Sequence, residues 1–306
     1  METATRDGLV FDLTAAGPPD GEPVVLLHGF PQSARCWELL TPLLTATGLR
    51  TVAADQRGYS PGARPVGRAA YRFSELVADA ATIVEAALAG SGHRAAHVVG
   101  HDWGAAVAWG LAGHRPDLVR TVTGVSVPPP GAFRAALRRP RQVLASWYVG
   151  AFQVPGLAER VFATPPGRQW SPALVRVLVG SGQSGDRAKR DAAGMAEPPA
   201  LTAALNWYRA LPLAWRYRRD EAGPAGRGRP PASSARPVHP VTVPALYVWS
   251  DRDPALTRNA AERAPEHVAG PLRYVELRGV SHWIPEEAPD ALAALLLDHV
   301  AAHPVR

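Results

Sequence analysis

The stretch Val98-Val99-Gly100-His101-Asp102-Trp103-Gly104-Ala105-Ala106 changes from a β-branched strand pattern to a helical one across a single acidic residue. A run that ends in Gly-x-Asp-x-Gly and continues into Val107 and Leu111 with alanines between predicts a strand, a very tight turn and a helix. The small residues on either side let backbone and helix approach closely, so the Asp102 side chain is raised out of the turn. The same short pattern also occurs where an Asp only caps the following helix. Its meaning depends on the segments around it.

Upstream, residues 8–16 read as a short strand and Val24-Val25-Leu26-Leu27 as a buried parallel one, ending at His28-Gly29-Phe30-Pro31. A helix is expected from Ser33, carrying Trp37, Leu39, Leu40, Leu43 and Leu44. Thr51–Ala54 reads as the next strand, followed by a helix over 74–88 with Ser74 as its cap, and then the strand at His97–Val99. A further strand is expected over Val119–Val127. Strand and helix alternate strictly, which implies a parallel sheet covered on both faces. At Pro128-Pro129-Pro130 the pattern changes to aromatic-rich helical segments (143–152, 173–179, 201–211), and 223–240 reads as a long exposed connection. Strands at 245–249 and 272–277, with helices from about 259 and 289, resume the rhythm. The expected division is therefore core over 1–130, an inserted helical cap and its connection over 131–240, and core again over 241–306.

The chain has 306 residues, 46% of them hydrophobic. This length suits one large α/β domain with an insertion. No run approaches the ~20 apolar residues of a membrane span, and the start has neither the basic nor the apolar segment of a secretory signal, so a cytoplasmic protein without membrane contact is expected. Cys36 is the only cysteine, which excludes an internal disulfide and a cysteine-based metal cluster. The formal charge of +6 comes almost wholly from arginine, Lys189 being the only lysine. Neither of the two local clusters, Arg134–Arg141 and Arg216–Arg229, carries aromatics interleaved in a recognisable RNA-binding pattern or a helix-turn-helix signal, so solvated surface arginine is the reading and no nucleic-acid partner is expected.

In doubly wound sheets, functional groups gather at the carboxyl ends of strands. Four such ends carry polar signatures here: His28-Gly29-Phe30-Pro31, Asp102, Asp251-Arg252-Asp253-Pro254 and Gly279-Val280-Ser281-His282-Trp283. The order nucleophile, acid, histidine along the chain is that of α/β-hydrolase catalysis, with Asp where a serine hydrolase has Ser. Over nearly its whole length the chain resembles the α/β-hydrolase-fold epoxide hydrolases. Phe30 and its neighbours match that family's oxyanion loop, Gly100–Gly104 its nucleophile motif and Gly279–Trp283 its histidine motif. Tyr148–Gly156 and Asn206–Arg209 resemble the cap segments that bear its two ring-opening tyrosines.

The resemblance implies a doubly wound, mostly parallel sheet with an inserted helical cap, and epoxide hydrolysis to a vicinal diol by water, without metal or organic cofactor. A carboxylate can displace at the saturated carbon of an epoxide and leave an ester that water can cleave; Asp102 has this role. Opening generates an alkoxide that must be protonated as it forms, the task of Tyr148 and Tyr208. His282, held by Asp253, would activate water, and the backbone N–H groups of Phe30 and Trp103 would receive the oxyanion, a contribution of about 3 to 4 kcal/mol per donor elsewhere. The family carries Gly three positions before the acid; here Ser250 stands there, which selects Asp253 over Asp251. Phe30, Trp103, Phe152, Trp207 and Trp283 are the expected substrate-contacting side chains, with Trp147 and Trp170 also candidates for shaping the cavity. Asp55 and Arg57 are expected to fix their loop, and His28 to orient one. The expected assembly is a monomer or homodimer.

Two other readings share part of this constellation. A haloalkane or haloacid dehalogenase uses the same Asp, His and acid, and Trp103 could bind halide, yet it has no use for two proton donors over the leaving group. A non-catalytic binding protein of the same fold would show a broken catalytic set, whereas every member is present. An esterase or perhydrolase would need Ser at the elbow.

Overall fold

A computed structural model of the chain describes residues 2–211 and 240–305. The basic segment 216–229 and most of the connection 223–240 lie outside the described residues. Eight strands form one sheet: β1 (Glu2–Arg6), β2 (Leu9–Ala16), β3 (Pro23–Leu27), β4 (Arg50–Ala54), β5 (Ala96–His101), β6 (Val119–Val125), β7 (Ala245–Ser250) and β8 (Leu272–Leu277). Their order is β1-β2-β4-β3-β5-β6-β7-β8. β1 and β2 pair antiparallel, β2 pairs antiparallel with β4, and every other neighbour is parallel. β3 is buried at every residue, as a parallel strand covered on both faces must be.

Helices cover both faces. On one lie α2 (Phe73–Leu88) and α3 (Trp103–His114); on the other lie α1 (Leu40–Thr45) and the C-terminal helix Pro289–Ala301. Trp37, Leu40 and Leu44 pack there with Ile284, Leu292 and Leu296. α3 is built from glycine, alanine, Val107, Trp109 and Leu111 and is buried along almost its whole length. Trp109 lies so close to β6 that a Cβ on Gly124 would stand 2.5 Å from its ring.

Between β6 and β7 the described chain is helical: α4 (Pro130–Ala136), α5 (Pro140–Ala145), α6 (Trp147–Phe152), α7 (Leu157–Val161), α8 (Pro172–Gly180), α9 (Gly185–Gly194) and α10 (Pro198–Arg209). After β7 come α11 (Arg258–Glu262), β8, α12 (Ile284–Glu287) and the C-terminal helix, α13. α4 packs back on the sheet-borne part, with Gly131 against His267.

Several expectations are corrected in detail. The helix expected from Ser33 is a 3-10 turn (Ala34–Trp37) followed by α1, and Leu39 is 38% exposed rather than core-facing; Pro42 has no N–H to continue an unbroken ladder. Ser74 is not a cap, because α2 begins at Phe73 after Arg72. The strand expected to Val127 stops at Val125, where Ser126 takes φ +68°. The segment 143–152 is two helices broken at Ser146. β1, polar and buried only at Ala4, and the short helices α7, α9 and α12 carry too little apolar periodicity to be read from sequence.

Candidate active site

Asp102 occupies the turn between β5 and α3 with φ 52° and ψ −119°, a conformation that costs a non-glycine residue about 1–3 kcal/mol. Close approach explains the small residues around it. A Cβ on Gly100 would lie 2.1 Å from the Gly104 carbonyl oxygen, one on Gly104 would lie 2.1 Å from that of Leu27, and one on Gly29 would lie 2.3 Å from Asp102 Oδ1. The backbone N–H of Phe30 donates to Asp102 Oδ1 at 2.9 Å. Trp103 is the first residue of α3, so its N–H has no intrahelical acceptor and the helix terminus favours negative charge on Asp102.

His282 reaches the same carboxylate from the loop after β8, its Nε2 lying 3.5 Å from Asp102 Oδ2. On the other side of the ring, Nδ1 lies 2.7 Å from Asp253 Oδ2. Asp253 Oδ1 accepts the backbone N–H groups of Ala255 and Leu256 at 2.8 and 2.9 Å, which fixes the carboxylate in the imidazole plane's reach. Of the two candidate aspartates, Asp253 meets the imidazole. Asp251 is exposed and accepts the Gly279 N–H at 2.7 Å.

Burial opposes charge on both Asp102 and His282, and their partners outweigh it. For Asp102, the hydrogen bond and charge of His282 hold the carboxyl below its ordinary range, helped by the Phe30 N–H. For His282, Asp253 first and Asp102 next push the imidazolium up to about 10. The two carboxylates, one on each side of the ring, thus favour the imidazolium over the neutral imidazole.

Aromatic side chains face this pair. The Tyr208 ring stands edge-on to Phe30, Trp103 and Phe152 at centroid distances of 5.4, 5.1 and 5.0 Å. Tyr148 lies 6.1 Å from Tyr208 and 5.7 Å from Phe152. Burial, and then the charge of Asp102, drive both hydroxyls above the ordinary phenol range, so both stay protonated. Trp283 lies edge-on to His282 at 5.4 Å and its indole N–H donates to Ser181 Oγ.

Two aromatic expectations are corrected. Trp207 is fully buried in the seam between α10 and the loop after β4, where its Nε1–H donates to the Arg57 carbonyl at 2.8 Å; it backs Trp103 rather than facing Asp102. Trp147 is 71% exposed, because α6 turns Tyr148 and Phe152 inward instead. Arg57 pairs through Nε and Nη2 with the buried Asp79, at 2.5 and 2.8 Å, and Asp55 accepts the Ala34 N–H. His28 accepts the Gln56 N–H, so these three side chains fix loops as expected.

The sequence gives no warning of a second buried cluster. Gln183 Nε2 donates to Asp191 Oδ2 at 2.6 Å and to Glu286 Oε2 at 2.9 Å, and Arg190 pairs with both carboxylates. Burial pushes Asp191 up to about 6. This cluster ties α9 to α12, just after His282. His101, Ser126 and Ser250, all buried at strand ends, also escape periodicity; the departure from Gly at 250 was the single available signal. Among the described residues, no group of three or more His, Cys, Asp or Glu side chains could hold a metal ion, and no helix is long and apolar enough to cross a membrane.

A mostly parallel sheet with an acidic residue on a strained strand-to-helix turn, and a histidine and a second acid on later strand ends, defines an α/β hydrolase. The alpha/beta hydrolase fold family matches residues 22–289, and the chain belongs to it. Epoxide hydrolase A of Mycobacterium tuberculosis is 30% identical to it, over 98% of this chain and 97% of that protein. Among solved structures, an epoxide hydrolase from metagenomes of hot environments superposes with a TM-score of 0.78 at 29% identity, covering 99% of this chain and 98% of that one. Epoxide hydrolase A from Mycobacterium thermoresistibile gives 0.74 at 28%, covering 100% and 99%.

Proposed function

We propose that this protein hydrolyses an epoxide to a vicinal diol through an ester on Asp102. The observation that carries the reading is the pair of protonated phenols, buried Tyr208 and half-buried Tyr148, grouped with Phe30 and Trp103 above a carboxylate whose far oxygen faces His282. In the first step, Asp102 Oδ2 forms a bond to a ring carbon while that carbon's bond to the ring oxygen breaks. The departing oxygen takes a proton from a tyrosine as it becomes an alcohol. Oδ1 keeps the Phe30 N–H and remains the carbonyl oxygen of the ester.

Alkylation also changes the histidine. Asp102 loses its charge, so one of the two carboxylates holding the His282 proton is gone and the imidazole becomes more acidic. Its proton returns to the tyrosinate, leaving a neutral base opposite the ester. In the second step His282 takes a proton from water, the hydroxide adds to the Asp102 carbonyl carbon, and the charge on Oδ1 is met by the N–H groups of Phe30 and Trp103. Collapse breaks the bond from the Asp102 carbonyl carbon to the diol oxygen, which takes the proton from His282, and the carboxylic acid left on Asp102 then gives its own proton to the imidazole, restoring carboxylate and imidazolium. Asp253 supports the cation throughout. The helices between β6 and β7 serve as the cap, with Phe30, Trp103, Phe152 and Trp283 forming the walls.

A dehalogenase would share Asp102 and His282, but a departing halide needs no proton. The two phenols therefore favour an epoxide.

The test is a single turnover of styrene oxide in oxygen-18 water with enzyme in excess. The expected result is unlabelled diol and one label in the Asp102 carboxylate, located by peptide mass spectrometry. Labelled diol with unlabelled Asp102 would mean direct hydration and would overturn the ester route.

A further inference from the structure

Three adjacent strands end in buried polar side chains that point at the same place. His101 closes β5, Ser126 follows β6 and Ser250 closes β7, and all three are 0% exposed. His101 Nε2 lies 2.9 Å from the His282 carbonyl oxygen, and Ser126 Oγ lies 2.8 Å from that same atom. Ser250 Oγ lies 2.7 Å from the Ser281 carbonyl oxygen. Two consecutive carbonyls of the histidine loop are thus gripped by three side chains.

A carbonyl only accepts, so each contact requires a donor on the strand side. His101 must carry its hydrogen on Nε2, and its Nδ1 lone pair must itself receive a donor. Gln32 Oε1 lies 2.9 Å from Nδ1 and the Nε2 of the same amide has no partner, so turning the amide over about its terminal bond gives Nδ1 its donor and satisfies the orphan NH2. Burial and the neighbouring His282 hold His101 down to about 3, consistent with a permanently neutral ring in that tautomer. Ser126 adds a separate indication: its φ of +68° suits glycine, yet the residue is a serine whose hydroxyl is used. Ser250 stands where the family resemblance calls for glycine, and it too spends its hydroxyl on this loop.

We propose that His101, Ser126 and Ser250 are positioning residues that lock the backbone of the histidine loop so that the His282 ring is held in line with the ester carbonyl. This rests on the epoxide-hydrolysis reading for its kinetic consequence. The clamp acts on His282 alone, so it governs the hydrolytic step and leaves alkylation by Asp102 nearly untouched. A hydrogen bond lost from such a clamp corresponds to roughly tenfold in rate, because small misplacements of a base are costly.

The experiment compares wild type with a variant carrying Ser126→Gly and Ser250→Ala, using styrene oxide under rapid quench. Glycine relieves the left-handed backbone at 126, so the variant folds, and thermal unfolding checks this. Ester formation is expected within about twofold of wild type, with ester decay about 10- to 100-fold slower for the two hydrogen bonds lost, so that kcat and KM fall together and kcat/KM holds. Ser250→Thr, which keeps a hydroxyl, is expected to retain wild-type decay. Ester decay at the wild-type rate in the double variant, or equal slowing of both steps, would overturn the proposal. Should wild type form no ester, the functional reading itself fails, and the clamp is then read by proton NMR. The His282 Nδ1–H resonance, sharp in wild type, is expected to broaden through exchange in the variant; an unchanged resonance would overturn the clamp on its own.

Discussion

The two halves of the site are held in different ways. The sheet-borne half is over-determined: Asp102 is wedged by Gly29, Gly100 and Gly104, and His282 is fixed through Asp253 on its ring and through strand-end donors on its backbone. In the half contributed by the inserted helices, Gln153 Nε2 and Arg209 Nε tie the Tyr208 and Phe152 carbonyls, but the rings themselves meet only edge-on, Tyr208 against Phe30, Trp103 and Phe152, and Tyr148 against Phe152. Hydrogen bonds and steric wedges fix an atom's position to a fraction of an ångström, whereas edge-to-face contacts of about 0.5–1.5 kcal/mol tolerate shifts in ring position. In the proposed reaction the bond-making atoms therefore sit on the sheet, and the groups that would meet the leaving oxygen sit on the inserted helices.

The strongest way to break this contrast is to remove the cap's chemistry while leaving its packing. Tyr148→Phe with Tyr208→Phe keeps every ring contact, and each acid contributes about 10²–10⁴-fold, so epoxide turnover should vanish from steady-state assays while the circular dichroism and melting profile persist. Retention of more than a hundredth of wild-type kcat/KM would remove the tyrosines from the reaction. A smaller effect is expected from overfilling the sheet-borne half. Gly29→Ala places a methyl against Asp102 Oδ1; displacement of the carboxylate by even 1 Å costs about 100-fold, and overpacking lowers stability by about 1–3 kcal/mol, measurable by denaturant titration. Wild-type activity in this variant would show that the elbow yields more readily than its contacts indicate.

The mildest change tests the electrostatic link between the halves of the reaction. Asp102→Asn imitates the neutral ester, so His282 should lose part of its upward shift and titrate below about 10, read by histidine NMR. The sign also sets a stability window. With its folded pKa raised above the unfolded value of about 6.5, His282 stabilises the wild type fully below that pH, and this contribution fades as pH rises toward about 10. The Asn variant should lose it at lower pH. An unchanged titration would mean that Asp253 alone controls the imidazole.

Legibility in the sequence follows the same division. Parallel strands buried on both faces leave unbroken apolar runs such as Pro23–Leu27, so most of the sheet could be read directly. β1 could not, because a polar edge strand has little apolar period. Asp102 and His282 announce themselves because strained turns demand glycines at fixed offsets. The family resemblance selects Asp253 over Asp251 by its offset from position 250, and the fold supplies the physical reason: Asp253 meets the imidazole, whereas Asp251 accepts the Gly279 N–H. Trp147 and Tyr148 are adjacent in sequence, and only the packing of α6 decided which one faces the site.

By itself, the sequence determined the α/β alternation, the elbow and the kind of chemistry an Asp there can perform, because backbone sterics and local periodicity are written in neighbouring residues. Tertiary structure alone decided that Trp207 braces a seam rather than faces Asp102, that His282 lies between two carboxylates, and that His101, Ser126 and Ser250 converge on its loop. Those relations join residues as many as 181 positions apart, and no local pattern encodes which distant donor a buried carbonyl will find.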